Sequence, residues 1–267
     1  MSDLSERQRV GCEIVKRAAA LALDYFQRRA SLDQGSKAAP LDLVTDADRA
    51  VERQIKAELA AAFPDDGFWG EESGGDASQN LWVADPIDGT SNFVAGLPLW
   101  GLSLAYVENG ETQIGFLAFP VLGSFYHATK NAGAFRDGQP IAASQISSLD
   151  RSRVIFGRSP DMAPDNPLAF ATGVLGGGAV IYAFNCCIFN LSQIAEGCCH
   201  AYYEERVHPW DYAAGALIVS EAGGRISTDM SAKADQPGLS RAASHRCGLM
   251  IWRQRVSVSS GSKVAPE

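Results

Sequence analysis

The stretch Leu81-Trp82-Val83-Ala84-Asp85-Pro86-Ile87-Asp88-Gly89-Thr90-Ser91-Asn92-Phe93 carries three structural signals in succession. The apolar run Leu81–Ala84 predicts a short strand. Asp85–Thr90 then sits at the strand end, with Pro86 fixing the turn between two carboxylates. Gly89-Thr90-Ser91-Asn92 has the composition of a helix start, where backbone N–H groups lack intrahelical partners and can meet an anion. A strand, an acidic turn and a helix start in one run point to α and β layers with a site where they join. Asp85 and Asp88 could face one ion, and the Ile87 carbonyl could join them, because hard cations such as Mg2+ take oxygen ligands. Asp-Pro and Asp-Gly are also ordinary turn dipeptides. In isolation the segment therefore leaves a plain turn and a metal loop both open.

Upstream, Val10, Ile14, Ala18, Leu21 and Tyr25 recur at helical spacing and predict a helix from about Ser5 to Arg29. A polar loop with Gly35 and Pro40 follows. A second helix is expected from Ala47 to Phe63, with Val51, Ile55 and Leu59 on one face, Thr45 or Asp46 as cap, and Pro64 as its stop. Gly70–Asn80 reads as an acidic loop. Downstream, strands are expected at Leu102–Val107 and Thr112–Phe119, joined by an Asn109-Gly110 hairpin turn. Further strands are expected at Ser124–Ala128 and Gly133–Arg136. The second half predicts strands at Arg153–Phe156, Ala179–Ala183 and His200–Tyr203, with helices at Pro167–Leu175 and Phe189–Glu196. Glu204 and Glu205 would end the last of these strands. A helix would run from Pro209-Trp210-Asp211 to Ala222 and stop at Gly223-Gly224. After Thr228 the chain reads as surface loop, then a strand at Gly248–Trp252 and a mobile tail from Ser257. Hairpins mixed with helices suggest layered α+β or α/β packing.

The chain has 267 residues, nearly half of them apolar, and a formal charge of -8. Such a chain can bury a substantial core and is not of disordered composition. Its negative charge argues against nucleic acid and anionic membrane as partners. It does not argue against a phosphorylated metabolite, since bound cations invert the local field. Met1–Arg9 is polar and predicts no secretory leader, no run is long and apolar enough to span a membrane, and a cytoplasmic location is expected. Cys12, Cys186, Cys187, Cys198, Cys199 and Cys247 lack zinc spacing and read as reduced, mostly buried small side chains.

Acidic residues cluster at Asp46/Asp48, Glu71/Glu72, Asp85/Asp88, and Glu204/Glu205 with Asp211. Gly70-Glu71-Glu72-Ser73, Asp85–Phe93 and Trp210-Asp211-Tyr212-Ala213-Ala214-Gly215 resemble three ordered signatures of the inositol monophosphatase family. Val44-Thr45-Asp46-Ala47-Asp48 is similar to its upstream motif, and Glu221-Ala222-Gly223-Gly224 to the continuation after the last signature. The likeness runs from about Leu41 to Ile226.

The resemblance implies an αβαβα sandwich of the inositol monophosphatase and fructose-1,6-bisphosphatase type. An N-terminal α+β half, 1–145, would carry most metal ligands. A C-terminal α/β half, 146–267, would carry Asp211 and the substrate contacts. Glu71, Asp85 and the Ile87 carbonyl would bind one Mg2+, and Asp85, Asp88 and Asp211 a second. Glu71 would also help place a weaker third ion through water. Thr90 and Asp48 would position or deprotonate the attacking water, with Asp48 matching the family register better than Asp46. Gly89 and Thr90 would meet the substrate phosphate, and Glu204 a substrate hydroxyl. Water would attack directly, without a phosphoenzyme, leaving His127, His200, His208 and His245 structural or exposed. The family is commonly homodimeric and lithium-sensitive, and both properties are expected here.

Asn185-Cys186-Cys187-Ile188 departs from the family's Gly-Ser-Ala-like stretch, which leaves inositol phosphate in doubt as the substrate. Gly157-Arg158-Ser159 also departs, and Arg158 could face a second anionic group. The first reading is a Mg2+-dependent phosphomonoesterase for inositol monophosphate or a similar polyol phosphate. The same chemistry on histidinol phosphate, fructose 1,6-bisphosphate, a 3′-phosphoadenosine nucleotide or NADP is the alternative. A catalytically silent binding or regulatory protein is a third, disfavoured by the complete acidic set.

Overall fold

The fold is that of a computed structural model that describes residues 3–28, 34–36, 43–75, 78–146, 148–157, 165–205, 207–229 and 248–251. The expected Cys247, His245 and Arg158 roles, the Thr228–Cys247 loop beyond 229, and the tail all lie outside these residues.

Two helices open the chain, α1 (Asp3–Gln27) and α2 (Asp46–Ala62), with short paired strands β1 (Gln34–Ser36) and β2 (Leu43–Thr45) between them. Their buried faces differ from a simple apolar stripe. On α1 the core positions are Arg7, Gly11, Ile14, Val15, Ala18, Ala22 and Phe26, while Val10, Leu21 and Tyr25 sit at the margin. The stripe is shifted because Arg7 is buried against Asp66, at 2.8–3.0 Å, and because Gly11 lets Phe116 come close. A charged residue and a glycine do not register in a hydrophobic periodicity, so the sequence pattern misplaced the face by about one position. On α2, Asp48 and Glu52 share the buried stripe with Val51, Ile55 and Leu59.

The first sheet has seven strands in the order β3 (Gly67–Gly70), β4 (Asn80–Asp88), β5 (Gly101–Glu108), β6 (Glu111–Phe119), β7 (Ser124–Thr129), β8 (Ala134–Arg136), β9 (Gln139–Pro140). All pairs are antiparallel except β3 with β4. Asn109 and Gly110 both take positive φ, 53° and 79°, which is the primed turn that matches strand twist. β3 was not foreseen, because Phe68 and Trp69 flanked by two glycines resemble a loop. β4 runs farther than the apolar run Leu81–Ala84, through Asp85 to Asp88.

The second sheet has five strands in the order β11 (Val180–Tyr182), β10 (Arg153–Phe156), β12 (Ala201–Glu205), β14 (Gly248–Ile251), β13 (Ile226–Asp229). Glu204 and Glu205 are the last two residues of β12, as expected. Among the described residues four further α-helices follow, α3 (Thr90–Ala95), α4 (Asp165–Gly176), α5 (Cys187–Ala195) and α6 (Pro209–Glu221).

The packing is an αβαβα sandwich. Helices α1 and α2 bury Ile14, Ala18, Val51 and Ile55 against Trp82, Leu104 and Phe116 on one face of the first sheet. Its other face, with Val83, Ala105 and Leu117, meets α5 and α6 through Ile188, Leu191, Ala214 and Ile218. Gly115 of β6 touches the backbone of Ala214, and a Cβ there would lie 2.7 Å from the Ala214 carbonyl oxygen. The second sheet joins the same core through Ile155 and Tyr202. Helix α4 covers its far face, with Val174 and Phe170 against Val154 and Ile181.

Candidate active site

The acidic segment owes its geometry to a β-bulge. Asp85 pairs with Ser103 and Asp88 with Gly101, so three steps on β4 match two on β5. In a regular strand residues three apart point to opposite faces. The extra residue restores their parity and puts Asp85 and Asp88 on one side. The Ile87 N–H turns back to Asp85 Oδ1 at 2.9 Å, and the Thr90 hydroxyl donates to the Ile87 carbonyl at 3.0 Å. Gly89 takes φ 83°, and a side chain there would also press on the Leu99 carbonyl and on Cys186.

Glu71 follows the last residue of β3, beside Asp85. Its N–H donates to the Ala84 carbonyl at 3.2 Å. The loop carrying it is fixed from α2: the buried Glu52 carboxylate accepts Glu72 N–H at 2.8 Å and Ser73 N–H at 2.7 Å. Gly70 must lack a side chain, because a Cβ would lie 2.3 Å from Glu52 Oε2. Asp48, one turn before Glu52 on the same stripe, is buried. Asp46 is the first residue of α2 and exposed.

Asp211 comes from the first turn of α6. His208 caps α6, Pro209 occupies the first turn, and His208 N–H donates to Asp211 Oδ2 at 2.6 Å. His208 stacks on Trp210 at 4.7 Å, and Trp210 meets Trp69 edge-on at 5.9 Å. The turn that orients Asp211 is therefore packed against the strand that leads to Glu71. Glu204 on β12 accepts the Tyr202 hydroxyl and lies against Gly157, where a Cβ would fall 2.2 Å from its Oε2.

Burial and mutual repulsion dominate the electrostatics of these carboxylates. Burial, then Glu71, Asp88, Asp211 and Asp48, pushes the Asp85 carboxyl well up. Removal from water raises Asp88 to about 6, with Glu71 adding repulsion and the Ile188 N–H and Cys186 thiol opposing it. Asp211 is raised by burial, Asp88 and Glu71, against the His208 N–H. Glu204 is raised to about 7 by burial and by Asp88, and Tyr202 opposes the shift. The main relief for Asp88 and Asp211 comes from backbone N–H groups, not from a Lys or Arg. Asp85 is buried, while Glu71, Asp88, Asp211 and Glu204 are partly exposed. The arrangement is thus a negative wall with an open side.

This all-oxygen donor set fits a hard divalent cation. Among the described residues no three His, Cys, Asp or Glu side chains form a ready-made chelate. Two histidines are engaged elsewhere: His127 stacks on Phe135 at 5.1 Å and His200 Nδ1 accepts Arg153 N–H at 2.9 Å.

Residues 3–262 match the inositol monophosphatase family. The chain belongs to that family. A histidinol-phosphatase of Chlorobaculum parvum is 37% identical over 220 residues, 79% of this chain and 82% of that protein. A fructose-1,6-bisphosphatase/inositol-1-monophosphatase of Thermotoga maritima is 36% identical over 197 residues, 72% of this chain and 73% of its own length. The solved extragenic suppressor protein suhB of Bartonella henselae shares the fold at TM-score 0.83 and 26% identity, covering 92% of this chain and 93% of that one. The chain is a phosphoric monoester hydrolase of this metal-dependent family. No helix among the described residues is long and apolar enough to cross a membrane.

Three groups at the site escaped the sequence reading. Glu52 shows itself only as a charge on an apolar helical stripe. Asn92 is buried and donates to the Leu99 and Phe184 carbonyls, both at 2.7 Å. Helix α5 begins at Cys187, two residues before the expected Phe189, and so brings its first turn to Asp88.

Proposed function

We propose that this chain is a Mg2+-dependent phosphomonoesterase that hydrolyses inositol monophosphate or a similar small polyol phosphate with water as nucleophile. The observation that carries the reading is the mutual repulsion among Asp85, Asp88, Asp211 and Glu71, which with burial raises the Asp85, Asp88 and Asp211 carboxyls. Such a group is stable only when protonated or when it holds cations. Two or three Mg2+ ions, when bound, would neutralise the phosphate oxygens, lower the pKa of water and stabilise the leaving alkoxide.

The residues have distinct tasks in this reading. Glu71, Asp85 and the Ile87 carbonyl hold one ion. Asp85, Asp88 and Asp211 hold another. The Ile87 carbonyl has two lone pairs, so accepting the Thr90 hydroxyl at 3.0 Å leaves one for a cation. Thr90, anchored by that bond, uses its own lone pairs to orient the attacking water. Asp48 takes a proton from the same water. The backbone around Gly89 and Thr90 receives the phosphate. Helix α3 has only six residues, so individual N–H groups matter there more than a summed dipole. Glu204 accepts a hydroxyl of the substrate's alcohol part.

Histidinol phosphate is the second reading, favoured by the name of the Chlorobaculum parvum relative. A panel of inositol monophosphate, histidinol phosphate, fructose 1,6-bisphosphate, 3′-phosphoadenosine nucleotide and NADP at fixed Mg2+ separates them by kcat/KM. Phosphate release is expected to need Mg2+ and to be inhibited by Li+. Metal binding without turnover of any member would instead mark a silent binding protein. We also propose a homodimer. Val180 and Tyr182, exposed by 53% and 37%, share one face of the edge strand β11, and Leu175 of α4 is exposed by 58%. Light scattering is expected to return twice the chain mass.

A further inference from the structure

Asp88 is held from across the molecule. Its Oδ2 accepts the Ile188 N–H at 2.6 Å and the Cys186 thiol at 3.4 Å. The sulfur also lies 3.6 Å from the Asp88 carbonyl oxygen. Both donors take the same carboxylate oxygen. They therefore fix rotation about the Cβ–Cγ bond and turn Oδ1 away from α5.

The donors themselves are fixed. Cys186 is 2% exposed, which leaves water little access to compete for its thiol. The Asn92 amide grips the Phe184 carbonyl at 2.7 Å and lies 3.4 Å from that of Asn185. Asn185 takes φ 54°, a conformation that asparagine tolerates better than most residues, and turns the chain into α5. Cys186 follows in extended conformation at φ -154° as the N-cap. Ordinary N-cap residues use their side chain on their own helix. The Cys186 sulfur meets the Phe189 N–H of its own helix and also directs its thiol across to Asp88.

We propose that Cys186 is a positioning residue: with the Ile188 N–H, its thiol sets the orientation of Asp88 and through it the affinity for the divalent cation. The inference rests on the reading of Asp88 as a metal ligand. A group behind a metal ligand commonly changes metal affinity by about 10- to 100-fold when removed. A thiol is a weak donor and Ile188 remains, so the expected loss is smaller, roughly three- to tenfold.

The test is Mg2+ binding to the full chain by titration calorimetry, with the Mg2+-induced rise in melting temperature as a second readout. Cys186→Ala is expected to weaken Mg2+ by about three- to tenfold, and Cys186→Ser to stay within about twofold of wild type. Should Cys186→Ala fail to fold, Cys186→Thr against Cys186→Val compares donor with no donor at similar volume. Wild-type affinity in the variants lacking a donor, or equal losses with and without one, overturns the proposal. Asp88→Asn separates the two levels. If it leaves Mg2+ affinity unchanged, the ligand assignment fails and the proposal with it. If wild type binds Mg2+ but hydrolyses no phosphate ester, the functional reading alone fails and the binding series still decides the role of Cys186.

Discussion

In the proposed reading Asp88 serves function against stability. Its carboxyl is raised to about 6 by burial and by Glu71, so the metal-free fold must accommodate charges it does not neutralise. Asp88→Asn is expected to lower kcat by at least about a hundredfold, as loss of a group aimed at transition-state charge does. The same substitution is expected to raise the melting temperature of the metal-free protein, because it removes one of several mutually repelling carboxylates. Activity assays and thermal melts in chelator check the two halves of this prediction. Glu204 gives the corresponding pH effect. Its folded value is about 7 against an ordinary 4.5, so the fold prefers the protonated form. The stability it contributes is complete below about 4.5 and is lost as pH rises through about 7, since the folded state then binds more protons than the unfolded one. Melts of the metal-free protein from pH 4.5 to 7.5 should therefore fall less steeply for Glu204→Gln than for wild type. An equal slope would mean that Glu204 titrates normally.

At the scale of elements, two devices place the carboxylates. One is the β4 bulge, which brings Asp85 and Asp88 to one face. The other is Glu52, which reaches from α2 to cap the turn after Glu71. Removing the Glu52 carboxylate leaves two backbone N–H groups without their acceptor. Glu52→Ala is expected to cost about 2–4 kcal/mol in urea unfolding and to weaken Mg2+ activation, by loosening the Glu71 turn. The sequence made most elements legible, and the reasons are local. Asn109-Gly110 forces the hairpin through backbone chirality. Pro209 and Asp211 open α6 through capping. Elements whose character depends on partners were harder. β3 is four residues ending in glycines and becomes a strand because β4 lies beside it in parallel. The first turn of α5 is held by Asp88 and the segment before it by Asn92, both distant in sequence.

Across the whole molecule, the two sheets are tied through the middle helices and through a few polar clasps. Asn92 links α3 to the segment before α5. Glu221 at the end of α6 accepts Asn131 N–H and Gly133 N–H, both at 2.9 Å. Glu196 after α5 accepts Tyr126 and Arg136 from β7 and β8. Asp211 holds its place relative to Asp85 through the packing of α6 on the first sheet. Asn92→Ala is expected to destabilise the protein by about 1–3 kcal/mol and to lower kcat without removing any metal ligand. Urea unfolding and Mg2+ titration together check it: a loss of stability with unchanged kcat would show that the clasp does not reach the chemistry.

The acidic motifs were present in the sequence because each depends on chemistry carried by neighbouring residues. An aspartate pair around Pro86, a Trp-Asp at a helix start and a Gly-Glu-Glu turn can be read without knowing what they touch. Their order along the chain was enough to establish the family and the reaction class. Tertiary structure alone decided which face Asp85 and Asp88 share, that Glu52 supports Glu71, that Gly157 makes room for Glu204, and that Cys186 turns to Asp88. Those relations join residues far apart in the chain, through close approach, burial and opposed charge, and local periodicity carries no record of such distances.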